Sequence, residues 1–233
     1  MPAWVPLESN PDVLNHFVAN LGVDTKTWQF FDVFGLDDEL LAMMPSAIAV
    51  IMLFPVTGKY EAYKAEEQVR LESTDPEHAH LRPPASTYYT RQTIRNACGT
   101  IAVLHSLFNT RDSTVIPGTH AHALYELTKN LSPEDRAKAM ETFAPLASAH
   151  TAVASEGQTV APDANDDVDL HFVAFVNVEG TLVELDGSKK KPVAHGPVEG
   201  GNLLKSVARV TREFMARDPE NVHFTLIGLG AAE

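Results

Sequence analysis

The chain contains a single cysteine, Cys98, in the segment Gln92-Thr-Ile-Arg-Asn96-Ala-Cys98-Gly99-Thr100, where polar sequence passes into Ile101-Ala-Val-Leu104-His-Ser-Leu107-Phe108. Apolar side chains at 101, 104, 107 and 108 follow helical spacing, and Asn96 reads as the N-cap, which predicts Cys98 in the first turn of a buried helix. Unpaired backbone N–H groups and the positive end of the helix dipole favour a thiolate there, and the thiolate is the nucleophilic form of cysteine. A free cysteine can equally be a small buried hydrophobe. What separates the two readings is whether a base and an orienting group can reach it.

The base comes from a hairpin. Val168 to Val178 and Thr181 to Asp186 read as two strands joined at Glu179-Gly180, a two-residue turn. In that register Val176 faces Val183, Ala174 faces Leu185 and Val173 faces Asp186. One face then carries Leu170, Phe172, Ala174, Val176, Val183 and Leu185, an apolar set that a slip of one residue would scatter over both faces. The opposite face carries His171, Val173, Phe175, Leu182, Glu184 and Asp186. His171 and Asp186 form a diagonal pair with backbones about 7 Å apart, within side-chain reach. A carboxylate that fixes the tautomer and orientation of a histidine equips it as a general base. The order helix-start cysteine, strand histidine, acid on the next strand is that of papain-like cysteine hydrolases. Gln92 adds an amide able to help hold a developing oxyanion.

The remaining sequence supplies the frame. Asn10-Pro11 through Gly22 has the cap, proline and terminal-glycine pattern of a short helix whose inner face is Val13, Leu14, Phe17 and Leu21. Ala47 to Val56 reads as a central strand buried on both faces, followed by a charged helix near 61–70 and a surface loop over 71–86. Helices are expected at 97–109, 120–130, 133–148 and 202–216, and a last strand over Val222 to Leu229. Positions 152–167 lack periodicity and read as a long functional loop.

With 44% hydrophobic residues the chain can bury a full core, and 233 residues suit a single domain over 1–233. The net charge of −13 argues against a nucleic-acid partner and suits a partner with a basic face. With one cysteine, no signal-peptide pattern and no membrane-spanning run, the expectation is an intracellular monomer, cytoplasmic or nuclear. His78 with His80 and His120 with His122 lack further ligands of obvious spacing, so neither a metal nor a cofactor is expected. Ser188-Lys189-Lys190-Lys191 reads as a solvated basic turn.

The Gln92-to-Thr100 block, Leu170-His171-Phe-Val-Ala-Phe-Val, Leu185-Asp186-Gly187, Trp4-Val-Pro-Leu-Glu-Ser-Asn-Pro and Glu156-Gly-Gln-Thr together closely resemble the ubiquitin carboxyl-terminal hydrolases of the UCH family of cysteine proteases. The likeness runs from Trp4 to about Gly230. It implies a papain-like α/β fold, a central antiparallel sheet flanked by helices with a knotted backbone. It also implies Cys98 as nucleophile, His171 as general base, Asp186 as its orienter and Gln92 in the oxyanion hole. The 152–167 loop, including Ser155, Glu156, Gly157, Gln158 and Asp166, matches the family's crossover loop, which passes over the active site and restricts substrates to ubiquitin bearing small or unfolded adducts. Pro6, Leu7, Leu170 and Val222 lie where relatives form an apolar crevice for ubiquitin, and Asp32 where an acidic group meets its basic surface. NEDD8 is a second modifier that the resemblance admits. Arg95 departs from the small residue the family pattern has there. Two other readings stay open: a catalytically silent ubiquitin-binding module and an unrelated cysteine acyltransferase.

Overall fold

The computed structural model describes residues 2–164, 166 and 168–232. In chain order its helices are α1 (Pro11–Asn20), α2 (Asp38–Leu41), α3 (Gly58–Glu72), α4 (Cys98–Asn109), α5 (Arg111–Thr114), α6 (His120–Thr128), α7 (Pro133–Thr142), α8 (Ala144–Val153) and α9 (Leu203–Arg217). Its strands are β1 (Trp28–Asp32), β2 (Ala47–Pro55), β3 (Leu170–Val178), β4 (Thr181–Leu185), β5 (Val193–Pro197) and β6 (Thr225–Ala231). They form one antiparallel sheet in the order β1-β6-β2-β3-β4-β5.

The apolar run of β2 puts it inside the sheet, between β6 and β3, where side chains on both faces can be buried. Alternation along the strands then divides the core in two. Ala49 and Ile51 of β2, Ala174 and Val176 of β3, and Val183 and Leu185 of β4 pack with Phe17 of α1, Leu104 and Leu107 of α4, Leu124 of α6, Met140 of α7 and Leu146 of α8. Val50, Met52, Val173, Phe175 and Leu182 face the other way, against Leu204, Val207, Val210 and Phe214 of α9 and Tyr60 of α3. The two faces of the β3–β4 hairpin are those expected from the sequence. Its register agrees pair by pair, Ala174 with Leu185 and Val176 with Val183. Glu179 (φ 51°) and Gly180 (φ 84°) both adopt left-handed backbone, the conformation that lets a two-residue turn match the twist of the strands.

Several boundaries differ from expectation, each for a local reason. The helix expected over 133–148 is broken at Phe143, which is extended (ψ 90°), because Pro145 has no N–H to donate and its ring would clash with a continuing turn. The second piece runs on to Val153, so the loop expected from 152 starts at Ala154. The segment 71–86 includes the end of α3 and a 3₁₀ turn, Pro76–Leu81. The last strand starts at Thr225, leaving Val222 outside it, and the edge strands β1 and β5, too short to show periodicity, emerge only in pairing. Asn165 and Asp167 of the expected loop lie outside the described residues.

The basic run is the largest correction. Lys189 is buried, not solvated: its ammonium lies 2.5 Å from both Glu67 of α3 and Glu184 of β4. The second oxygen of Glu184 meets His195 at 2.8 Å. Burial opposes the Glu184 charge, but Lys189 and His195 outweigh it and bring its pKa down to about 2. Replacing Lys189 by Met leaves two buried carboxylates without their cation, and the expected cost is about 3–5 kcal/mol at neutral pH, read from urea unfolding. In the wild type the low Glu184 pKa stabilises the fold above the ordinary carboxylate range, a contribution lost as pH falls towards 2; in the variant Glu184 loses the largest of the influences that keep it ionised and gains by taking up a proton. The difference between the two proteins should therefore shrink on acidification, and a difference independent of pH would contradict this account.

Candidate active site

Cys98 is the first residue of α4, a helix whose residues from Cys98 to Phe108 are all buried. Asn96 is not its cap. It adopts a left-handed backbone (φ 59°), and its side-chain amide donates to the Ala164 carbonyl at 3.0 Å. Ala97 occupies the cap position and offers no side-chain acceptor, so no cap side chain competes for the N–H groups of the first turn. The Cys98 sulfur takes hydrogen bonds from the Gly99 and Phe172 N–H groups and from His171. Burial alone would raise the thiol pKa, but the hydrogen bond and charge of His171, with the two N–H groups, bring it below the ordinary value.

His171, near the start of β3, places Nε2 2.7 Å from Oδ1 of Asp186 while hydrogen-bonding Cys98. Burial opposes its charged form, yet the Asp186 charge and hydrogen bond, then Cys98, raise its pKa to about 10. A lowered thiol and a raised imidazole both favour the thiolate–imidazolium form of the pair. The His171 ring also meets Phe54 edge-on, with ring centroids 5.9 Å apart.

Asp186, directly after β4, has no exposed surface and spends its whole carboxylate on protein partners. Oδ1 receives His171 and the Ser188 N–H (2.8 Å), and Oδ2 receives the Tyr60 hydroxyl (2.7 Å). Burial again works against the charge, but His171 above all, with Lys189 and Tyr60, holds the carboxyl far below its usual range. Tyr60 is pushed well above 10, first by its burial and then by the surrounding carboxylates, so it stays a neutral donor. The Tyr89 hydroxyl donates to the Asp186 carbonyl at 2.8 Å and to that of Lys189, closing the turn from its backbone side.

Gln92 is tied to the same turn: its N–H donates to the Gly187 carbonyl at 2.9 Å. That approach needs glycine, since a Cβ on Gly187 would lie 2.9 Å from Ile101 and 3.0 Å from the Gln92 side chain. One N–H of the Gln92 amide donates to the Ile94 carbonyl at 3.1 Å, and its buried Oε1 has no hydrogen-bond partner. The second amide N–H is left over for another acceptor.

A crevice of about 380 Å³ opens onto Cys98. Pro6, Leu7 and Glu8 line one part, Leu170 and Phe172 another, and Thr159, Ala161 and Pro162 a third. Of the expected partner-binding residues, Pro6, Leu7 and Leu170 thus gather at the Cys98 crevice, though Leu7 is itself buried. Asp32 and Val222 do not; they line a separate hollow with Phe34 and Phe224. Among the expected loop residues, Glu156 meets His16 at 2.6 Å, the Gln158 N–H donates to Glu8, and Asp166 accepts the Asp163 N–H at 2.9 Å. Ser155 is exposed, and Gly157 lies so close to Glu8 that a Cβ would fall 2.4 Å from the carboxylate. Among the described residues no cluster of three or more His, Cys, Asp or Glu is arranged to hold a metal ion. Sequence reasoning passed over Tyr60, Tyr89, Lys189 and Glu8. The first three lie far from Asp186 in sequence or inside a run that looks solvated, and only Glu8, inside the Trp4-to-Pro11 segment, had a signal that could have found it.

The model of the family described as "Ubiquitin carboxyl-terminal hydrolase, family 1" matches residues 4–216. A ubiquitin carboxyl-terminal hydrolase of Drosophila melanogaster is 43% identical over 234 residues, covering 100% of both chains. One of Aplysia californica is 46% identical, covering 93% of this chain and 97% of its own. The crystal structure of the Trichinella spiralis UCH37 catalytic domain bound to ubiquitin vinyl methyl ester superposes with a TM-score of 0.72, covering 98% of this chain and 95% of that one at 21% identity, a likeness of fold. The chain therefore belongs to family 1 of the ubiquitin carboxyl-terminal hydrolases.

Proposed function

We propose that Cys98, His171 and Asp186 carry the cysteine-type deubiquitinating activity of this family, cleaving small or unfolded adducts from the C-terminal glycine of ubiquitin. The observation that carries this reading is the continuous hydrogen-bonded chain from the Cys98 sulfur through His171 to a fully buried Asp186. The Cys98 thiolate attacks the glycine carbonyl, and the imidazolium of His171 gives its proton to the departing amine or thiol. The thioester left on Cys98 is then attacked by water, whose proton passes to His171, releasing the ubiquitin carboxylate and restoring the thiol pair. The free amide N–H of Gln92 and the first-turn N–H groups of α4 are suited to the oxyanion that forms on the way.

Pro6, Leu7 and Leu170 supply apolar surface for the modifier, with Asp32 and Val222 as a second contact area. The net charge of −13 favours encounter with a basic modifier, an effect that weakens with salt. NEDD8, presenting the same C-terminal chemistry, is a second candidate, and the enzyme works as a cytoplasmic or nuclear monomer. A silent ubiquitin-binding module would need neither the depressed thiol nor the buried aspartate.

Cys98→Ala should leave the fold intact and abolish release from a ubiquitin C-terminal amide reporter; residual turnover near the wild-type rate would exclude this nucleophile. Asp186→Asn should lower kcat by roughly 10²–10⁴, less than Cys98→Ala, because orientation is lost while the thiol remains. The pH profile of kcat/KM separates these roles further. Activity should rise with thiolate formation below the ordinary cysteine range and fall near pH 10, where the imidazolium loses its proton. In Asp186→Asn the alkaline limb should move down from about 10 towards 6.5, and an unmoved limb would remove Asp186 as the group that holds the proton on His171.

A further inference from the structure

One side chain away from the crevice holds both His171 and its carboxylate. Tyr60 lies in the first turn of α3, where its N–H donates to the Thr57 hydroxyl at 3.3 Å and the neighbouring Lys59 ammonium meets Asp218 at 2.8 Å. The start of α3 is thereby tied to the residues before it and to the chain just past α9. The phenol is buried, and its hydroxyl donates to Oδ2 of Asp186 at 2.7 Å. Oδ1 of the same carboxylate is shared by His171 at 2.7 Å and the Ser188 N–H at 2.8 Å, so among the described residues Tyr60 is the one hydrogen-bond donor on Oδ2. The Tyr60 ring meets Phe54 edge-on with centroids 4.8 Å apart, and Phe54 in turn meets the His171 ring edge-on at 5.9 Å. One residue of α3 thus touches the carboxylate directly and the imidazole through a single intervening ring. Tyr60 is not among the described residues that line the Cys98 crevice.

We propose that Tyr60 is a positioning residue for the hydrolytic reaction: its hydroxyl fixes the plane of the Asp186 carboxylate, and that plane aims His171 at Cys98. This rests on the reading of Cys98 as the hydrolytic nucleophile. A carboxylate turns about the bond that joins it to its side chain, and contacts on one oxygen alone leave that turn open. A donor on the second oxygen closes it. Water cannot stand in, since Asp186 has no exposed surface. A buried acceptor that loses its donor bears the desolvation cost unless another donor is found. Lys189, the other cation acting on Asp186, is already taken up by Glu67 and Glu184. Without the Tyr60 hydroxyl, Oδ2 competes for the donors that hold Oδ1, His171 and the Ser188 N–H, and the imidazole loses its single direction. Burial first, then the carboxylates of Asp186, Glu184 and Glu67, keep the phenol protonated, so the donor is present throughout the working pH range.

The test compares the full chain with Tyr60→Phe, Asp186→Asn and the double variant, and with Tyr60 replaced by 4-aminophenylalanine. Phenylalanine keeps the ring that packs on Phe54, and 4-aminophenylalanine returns a donor to the end of that ring; urea unfolding checks each fold. On the ubiquitin C-terminal amide reporter, Tyr60→Phe should lower kcat about tenfold to a hundredfold, the worth of a hydrogen bond to a charged group, and leave KM unmoved. In the Asp186→Asn background the same substitution should cost less than about threefold, because the carboxylate that Tyr60 positions is gone. 4-Aminophenylalanine should recover most of the lost kcat. Without substrate, iodoacetamide alkylation of Cys98 is followed against pH, and its midpoint in Tyr60→Phe should rise by at least about half a unit, since a loosened imidazolium favours the thiolate less. Equal losses of kcat in the two backgrounds, or lower stability with kcat and the alkylation midpoint unmoved, would show that Tyr60 only packs, and would overturn the proposal. A folded 4-aminophenylalanine protein as slow as Asp186→Asn would do the same, and it decides the matter even where Tyr60→Phe does not fold. Wild-type protein that releases no reporter would instead overturn the hydrolase reading, and the alkylation midpoints would still decide whether Tyr60 aims His171 at the thiol.

Discussion

A carboxylate with no access to water must find all its partners inside the protein, and Asp186 is the group around which this molecule meets that requirement. Its two oxygens and its carbonyl engage His171, Ser188, Tyr60 and Tyr89, drawn from β3, the turn after β4, α3 and the segment before α4. An unpaired buried charge costs several kcal/mol, so each partner is a constraint on where its element sits. The position of His171 over Cys98 follows from these constraints. The ring is held from behind by Asp186 and edge-on by Phe54, which leaves it little freedom but to face the thiol.

The same burial makes the electrostatics effective. Desolvation opposes the charged form at Cys98, His171 and Asp186 alike, and in each case a charged neighbour outweighs it. Each charge favours the next: carboxylate the imidazolium, and imidazolium the thiolate. Beyond Asp186 the alternation continues through Lys189, flanked by Glu67 and Glu184, and on to His195. The turn after β4 is therefore one end of a buried polar network that takes in Glu67 of α3, Glu184 of β4 and His195 of β5. Such networks are costly when half satisfied and rigid when complete, which suits a turn that must present a carboxylate within hydrogen-bond reach of a ring.

Access is arranged separately from chemistry. The helix that carries Cys98 is packed against β3 in the larger core, whereas the roof over the crevice is a loop fixed by polar contacts near the surface. Breaking the first would unfold the domain, while opening the second exposes only a segment that water can solvate. A site built this way can hold Cys98 rigid and still vary the gap above it.

Chain order and side-chain type alone decided the strand alternation, the β3–β4 register and, through the diagonal placement of His171 and Asp186, the pairing of that histidine with that carboxylate. These are short-range matters: a two-residue turn sets a register, and alternation sets a face. The family resemblance likewise rested on local motifs, and the match over residues 4–216 agrees with it. Tertiary structure decided the rest. Tyr60 and Glu67 reach the turn after β4 from more than a hundred positions away, Glu8 reaches Thr159 from as far, and Lys189, which locally looks like one more solvated lysine, is buried because those distant carboxylates meet there. Asn96 has the chemistry of a helix cap, yet its amide finds the Ala164 carbonyl instead. A polar side chain takes whichever partner the folded backbone brings within about 3 Å, and for groups so far apart in sequence only the packed sheet and helices determine which partner that is.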